Sequence, residues 1–127
     1  MGKLNKKILI VEDEEIMLES LVDRFTEEGF WVVAARNGEE GFSLALKEQP
    51  DLILLDIILP KVDGMTMMKK LRKNKWGETV PIILLTNLSL DDKILEGVTK
   101  DLPVYYLVKT DYTLDAVVAK VKERLGI

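Results

Sequence analysis

Neither cysteine nor histidine occurs among the 127 residues. The first absence excludes disulfides and thiolate nucleophiles, and the second excludes Ser-His catalysis. Together they remove the usual zinc ligands. Redox compartment stays open for the same reason. No apolar run approaches the roughly 18–20 residues that cross a bilayer. The opening stretch Met1-Gly2-Lys3-Leu4-Asn5-Lys6-Lys7 leads into an apolar segment too short for a signal core, and Lys6 stands where a myristoylation motif carries Ser or Thr. Positive charge is not in excess: 18 Lys and Arg face 22 Asp and Glu, for a net charge of −4. That balance argues against direct binding to a nucleic-acid backbone. No low-complexity segment or linker interrupts the chain. What is present is ordinary for a globular domain, 47% hydrophobic and 31% charged, and long enough to bury a core. A single domain spanning 1–127, with no output domain, no membrane contact and a cytoplasmic location, is the expectation.

Short apolar runs alternate with longer segments of helical period. Ile8 to Val11 reads as a strand, followed by a helix from Ile16 to Glu28 that carries Leu18, Leu21, Val22 and Phe25 on one face and ends at Gly29. Trp31 to Ala35 is a second strand. Asn37-Gly38 opens a helix to about Lys47, with Phe42, Ala45 and Leu46 inward. Pro50 separates it from the strand Asp51 to Asp56. Gly64 to Lys73 forms a third helix, capped by Asp63, with Met68 and Leu71 in the core. Val80 to Leu85 is the fourth strand, Leu90 to about Val98 the fourth helix, and Val104 to Val108 the fifth strand. Thr113 caps a last helix holding Leu114, Val117, Val118, Val121 and Leu125. Five β-α units with continuously apolar central strands predict an α/β fold, a doubly wound (βα)5 parallel sheet with helices on both faces.

In such sheets the ligand site lies beyond the carboxyl ends of the strands, at the switch in strand order. Four apolar runs end there on polar groups: Glu12-Asp13, Asp56, Thr86 and Lys109. Three carboxylates brought together repel one another, and a hard divalent cation removes the conflict. Mg²⁺ suits all-oxygen ligands, with Mn²⁺ a substitute. A carboxylate nucleophile, a metal, an ammonium and a hydroxyl donor describe phosphoryl transfer onto Asp56.

Glu12-Asp13, Asp56 with Leu59-Pro60 and Asp63-Gly64, Thr86 and Lys109 together resemble the receiver domain of two-component response regulators, the CheY-like family, from about Lys7 to Leu125. The resemblance implies the flavodoxin-like strand order 2-1-3-4-5. It implies Mg²⁺ held by Asp13 and Asp56, by Glu12 directly or through water, and by the backbone carbonyl of Ile58. It makes Asp56 the phosphoacceptor from a sensor histidine kinase or phosphotransfer protein, with Thr86 and Lys109 holding the phosphoryl group. Thr86 and Tyr106 become the switch residues for the surface of the fourth helix, fifth strand and last helix. A downstream protein target and a monomer or phosphorylation-dependent dimer complete the implied picture. A chain without histidine can only be the acceptor in a His-to-Asp relay.

Simpler readings compete with this one residue by residue. Glu12 and Asp13 can cap the first helix against its dipole. Thr86 and Lys109 taken singly are a strand-end hydroxyl and a solvated charge, and Trp31 and Trp76 read as packing or rim residues. The basic run Lys69-Lys70, Arg72-Lys73 and Lys75 reads as a solvated helix end. An aspartyl-nucleophile phosphohydrolase is disfavoured because Ile58 occupies the place of its second acid, and an unphosphorylated docking module is disfavoured by the complete acid set. Departures from the family are local. Thr110 replaces the proline after Lys109, and since a cis bond before a non-proline residue costs about 3–4 kcal/mol, a trans bond is expected. Gly97 comes early for the end of the fourth helix, and Asn87 is bulkier than the usual small residue. Ile58 and Leu88 cannot orient a water, which predicts a slowly hydrolysed phosphoaspartate.

Overall fold

The computed structural model describes residues 4–56, 64–86, 105–108 and 113–127, with Thr86 and residues 105–108 described by their backbone alone. Asp63 as a cap, the helix from Leu90 to about Val98, Gly97, and the Lys109-Thr110 bond lie outside the described residues.

Five parallel strands, β1 (Lys7–Val11), β2 (Trp31–Ala35), β3 (Leu52–Asp56), β4 (Ile82–Thr86) and β5 (Tyr105–Val108), form one sheet in the order β2-β1-β3-β4-β5. The described helices are α1 (Glu15–Glu27), α2 (Gly38–Glu48), α3 (Gly64–Arg72) and α4 (Leu114–Leu125), with a 3₁₀ turn at Trp76–Glu78. The doubly wound architecture and the strand order are those expected. The fourth strand begins later than its apolar run suggests, at Ile82 and not Val80. Pro81 has no N–H for the ladder, and its carbonyl accepts instead from Ile53 N at 2.9 Å.

Alternation along the strands sorts the core into two layers. Leu9, Val11, Ile53, Leu55, Ile82 and Leu84 face one way and pack with Ala45 of α2 and Met67, Met68 and Leu71 of α3. Ile8, Ile10, Leu52, Leu54, Ile83 and Leu85 face the other, against Leu18, Leu21 and Phe25 of α1 and Val117, Val118 and Val121 of α4. Both faces are therefore dry, which is why these runs are apolar without interruption. Phe42 and Leu46 reach the first layer only partly buried, and Met67 joins Met68 and Leu71 as a fully buried residue.

Caps end the helices where the residue types require. The Asn37 side chain accepts from Glu40 N at 2.8 Å and Thr113 Oγ1 from Ala116 N at 3.1 Å. Gly29, at φ 100°, takes the left-handed turn after α1. The Lys7 amide donates to Asp51 Oδ2 at 2.8 Å, and Asp51 N donates to the Lys7 carbonyl at 2.7 Å. This reciprocal pair clamps the first residues of β1 and β3 in register, a condition the site at their far ends depends on.

Arg72 departs from its expected place in a solvated basic run. It is half-buried, and its Nη1 donates to the carbonyls of Gly77 at 2.9 Å and Val80 at 2.8 Å, so it ties the end of α3 to the approach of β4. Desolvation, and next the nearby Arg124, hold its pKa below the ordinary arginine value. Trp76 is partly buried against the first core layer, whereas Trp31 is exposed on the edge strand, with Lys7 Nζ 4.4 Å above its ring.

Two ion pairs join α1 to α4: Lys122 Nζ to Glu28 at 2.8 Å, and Arg24 to Asp115. Hydrogen bonds from Lys122 first, and then from Arg24, hold the Glu28 carboxyl below its ordinary value of 4.5. A carboxyl depressed in the folded state stabilises it above the unfolded pKa, and that increment is lost as pH falls through the lower folded value. Thermal unfolding scanned from neutral to acid pH should therefore show a smaller loss of Tm in Glu28→Gln than in the parent. Parallel curves would remove Glu28 from the acid response.

Candidate functional site

The strand order turns at β1, which has β2 on one side and β3 on the other. Crossovers diverge at such a point, and the carboxyl ends of β1 and β3 border an open crevice. Val11 lies opposite Leu55 in the ladder, so one step further the register carries Glu12 abreast of Asp56. Asp56 lies opposite Leu85, and Thr86 pairs with Val108. The rung that ends β3 on an acid thus meets β4 one residue short of its terminal threonine.

Carboxylate oxygens of Glu12, Asp13 and Asp56 all lie within 4.8 Å of one another, the one set of three acids so placed among the described residues. Glu12 is fully buried and Asp56 4% exposed, while Asp13 is open to solvent. Two of the three acids are thus buried and one faces solvent. Glu12 Oε1 also accepts from Glu14 N at 3.3 Å, at the residue that precedes α1. Glu14, and neither Glu12 nor Asp13, holds the N-cap position of α1, which has no side-chain cap, so the capping reading is not met. Nor would capping account for a fully buried carboxylate beside two more, because charged acids are seldom buried unless paired or bound to metal.

The donor set fits a hard cation. Oxygens sharing one octahedral Mg²⁺ at about 2.0–2.1 Å lie roughly 3–4 Å apart, close to the spacing seen here, and the exposed side at Asp13 leaves room for the waters Mg²⁺ retains. At the rim, Arg36 forks onto Glu15 with both bonds at 2.9 Å, bracing the loop after β2 against the first turn of α1. Hydrogen bonding to Arg36 lowers the Glu15 pKa, and the same contact raises that of Arg36. Periodicity carries no sign of this brace, since the partners are 21 residues apart.

Of the expected site residues, Glu12, Asp13 and Asp56 are brought together, and Thr86 ends the neighbouring strand. Ile58, Asn87, Leu88 and Lys109 lie outside the described residues, as do the side chains of Thr86 and Tyr106.

Comparison with known proteins agrees with this geometry. The family model for the response regulator receiver domain matches residues 8–122. The chain is 43% identical over 93 residues to the alkaline phosphatase synthesis transcriptional regulatory protein PhoP of Bacillus subtilis, covering 72% of this chain and 38% of that protein. It therefore spans less than two-fifths of that relative's length. A two-component response regulator from Clostridium difficile superposes with a TM-score of 0.81 at 33% identity, over 95% of this chain and 96% of that one. The fold is also shared, at a TM-score of 0.84 and 24% identity, over 96% of this chain and 98% of that one, with the receiver domain of a Pseudomonas aeruginosa sensor histidine kinase that has a magnesium ion coordinated in its active-site cleft.

Proposed function

The chain belongs to the response-regulator receiver family, and from that premise we propose that it is a phosphorylation switch whose acceptor is Asp56. The observation that carries the reading is the meeting of Glu12, Asp13 and Asp56 at the carboxyl ends of adjacent strands. The donor is the phosphohistidine of a sensor histidine kinase or phosphotransfer protein. A carboxylate oxygen of Asp56 bonds to phosphorus as the P–N bond breaks, and the electron pair leaves with the imidazole nitrogen, which is protonated from solvent.

Asp13 and Asp56, Glu12 directly or through water, and the Ile58 carbonyl would hold the divalent cation. Bound there, Mg²⁺ or Mn²⁺ supplies positive charge opposite the transferring oxygens. The Lys109 ammonium and the Thr86 hydroxyl have the chemistry to hold the phosphoryl group once it is on Asp56. Thr86 and Tyr106 then report it to the surface of the expected fourth helix (Leu90 to about Val98), β5 and α4, where a downstream protein binds. Moving a two-state equilibrium from about 1:99 to 99:1 takes roughly 5.5 kcal/mol of differential interaction, within the reach of several charge-assisted hydrogen bonds. The product is a switch and not a turnover enzyme, limited to self-phosphotransfer and slow autodephosphorylation.

Incubation with acetyl phosphate and Mg²⁺, read by intact mass, should add one phosphate to the parent and none to Asp56→Asn. Catalytic turnover of a phosphate ester would point to a phosphohydrolase, and an unchanged mass to an unphosphorylated docking module. The phosphoprotein, freed of donor and kept in Mg²⁺, is expected to persist for minutes or longer, because Ile58 and Leu88 offer no polar group to a water. Decay within seconds would overturn that part of the reading.

A further inference from the structure

Residues 64–77 hold five of the 18 cations of the chain and none of its 22 acids. This local excess sits in a protein of net charge −4. Arg72 is turned inward onto backbone carbonyls, but Lys69, Lys70, Lys73 and Lys75 are all exposed. They make no ion pair with any described acid, and nowhere else among the described residues do four such lysines stand together. Lys7, Arg24, Arg36, Lys120 and Lys122 each have an acidic partner.

The helix dipole explains cations in the last turn of α3, yet Lys75 lies beyond that turn, and the dipole does not require a segment free of acids. Two aromatic side chains border the lysines. Lys70 Nζ sits 5.1 Å from the Phe42 ring centroid, and Trp76 is half-buried beside Lys75. We infer that Lys69, Lys70, Lys73 and Lys75, with Phe42 and Trp76, form a docking surface for an acidic polypeptide segment.

Topology separates this surface from the phosphoacceptor. Helix α3 leaves the carboxyl end of the sheet and returns toward the amino end of β4, so its basic terminus lies at the opposite end from Asp56. The surface thus serves a second partner, distinct from the phosphodonor. Extent favours a peptide over nucleic acid. The four lysines fall within seven residues at the end of α3 and in the turn after it, a patch that a few residues of extended chain can cover. A duplex carries a charge every ~1.7 Å and would lay its further phosphates over a surface of net negative charge.

The test uses the full chain carrying Trp31→Phe, which leaves Trp76 as the sole tryptophan reporter. A short synthetic peptide of alternating glutamate and serine should shift Trp76 emission on binding, and salt should weaken it. Lys69→Glu with Lys73→Glu should weaken binding at least about tenfold. Lys69→Gln with Lys73→Gln removes the charges without adding repulsion, and keeps the test valid if the reversal unfolds the protein. Binding untouched by either pair of substitutions would overturn the inference. Tighter binding of a duplex oligonucleotide than of the peptide would overturn it as well.

Discussion

Mg²⁺ supplied at one hundred times its Kd is expected to raise the unfolding free energy by about 2.7 kcal/mol, since the folded state alone presents the three acids together. For a chain of this length that corresponds to a rise in Tm of roughly 10 °C. Asp13→Asn and Asp56→Asn should each abolish most of the increment, because each removes a charged ligand from a site with few. The metal-free variants supply the sharper half of the prediction. If the acids exist to hold a cation, neutralising one relieves repulsion, and apo Asp56→Asn should unfold no earlier than the apo parent. If Asp56 were a structural hydrogen-bonding residue, the same change at a site only 4% exposed would cost about 1–3 kcal/mol. Differential scanning calorimetry with and without Mg²⁺ decides between them. A parent Tm indifferent to millimolar Mg²⁺ would remove the metal from the account.

Gly77→Ala is expected to lower stability by about 3 kcal/mol or more, the upper end of overpacking costs. A Cβ at Gly77 would lie 2.1 Å from the Leu71 carbonyl oxygen and 2.8 Å from its carbon. Both atoms are backbone, and Leu71 is fully buried, so no rotamer change relieves the clash. The 3₁₀ turn must move off α3, taking with it the Gly77 and Val80 carbonyls that Arg72 holds. The fall in Tm should be roughly 10 °C. Gly41→Ala is the control. There a Cβ meets Met67 Sδ and Val11 Cγ2 at 3.0 Å, side-chain atoms able to give way, so the cost should be near 1 kcal/mol. Equal Tm values for the two alanine variants would contradict the difference between backbone and side-chain contacts. The turn at Gly77 feeds β4, whose far end is Thr86, so the substitution also tests how firmly that strand is seated.

Much of the fold was legible because local patterns carry it. Alternation in Ile8 to Val11 and Leu52 to Leu55 assigns each side chain a face, and the two core layers follow it residue for residue. Asn37, Thr113 and Gly29 marked helix ends through hydrogen-bonding capacity and backbone freedom, which are properties of single residues. Arg72 was misread because its partners are carbonyls, and a carbonyl five to eight residues ahead has no signature in residue type. Gly77 carried no signal for a similar reason: its need for glycine comes from the approach of Leu71 and not from a left-handed turn. The pairs Arg24 with Asp115 and Glu28 with Lys122, 91 and 94 residues apart, are likewise invisible to any local rule.

The sequence by itself determined the five strands, the described helices, the dry faces of the sheet and the acids that follow β1 and end β3, because these follow from hydrophobic period and residue chemistry. Only the tertiary structure decided that Glu12, Asp13 and Asp56 share one space of 4.8 Å. The reason is the crossover at β1. Strand β3 is laid beside β1 with its start clamped by Lys7 and Asp51, and this converts a separation of some forty residues along the chain into adjacent rungs of one ladder.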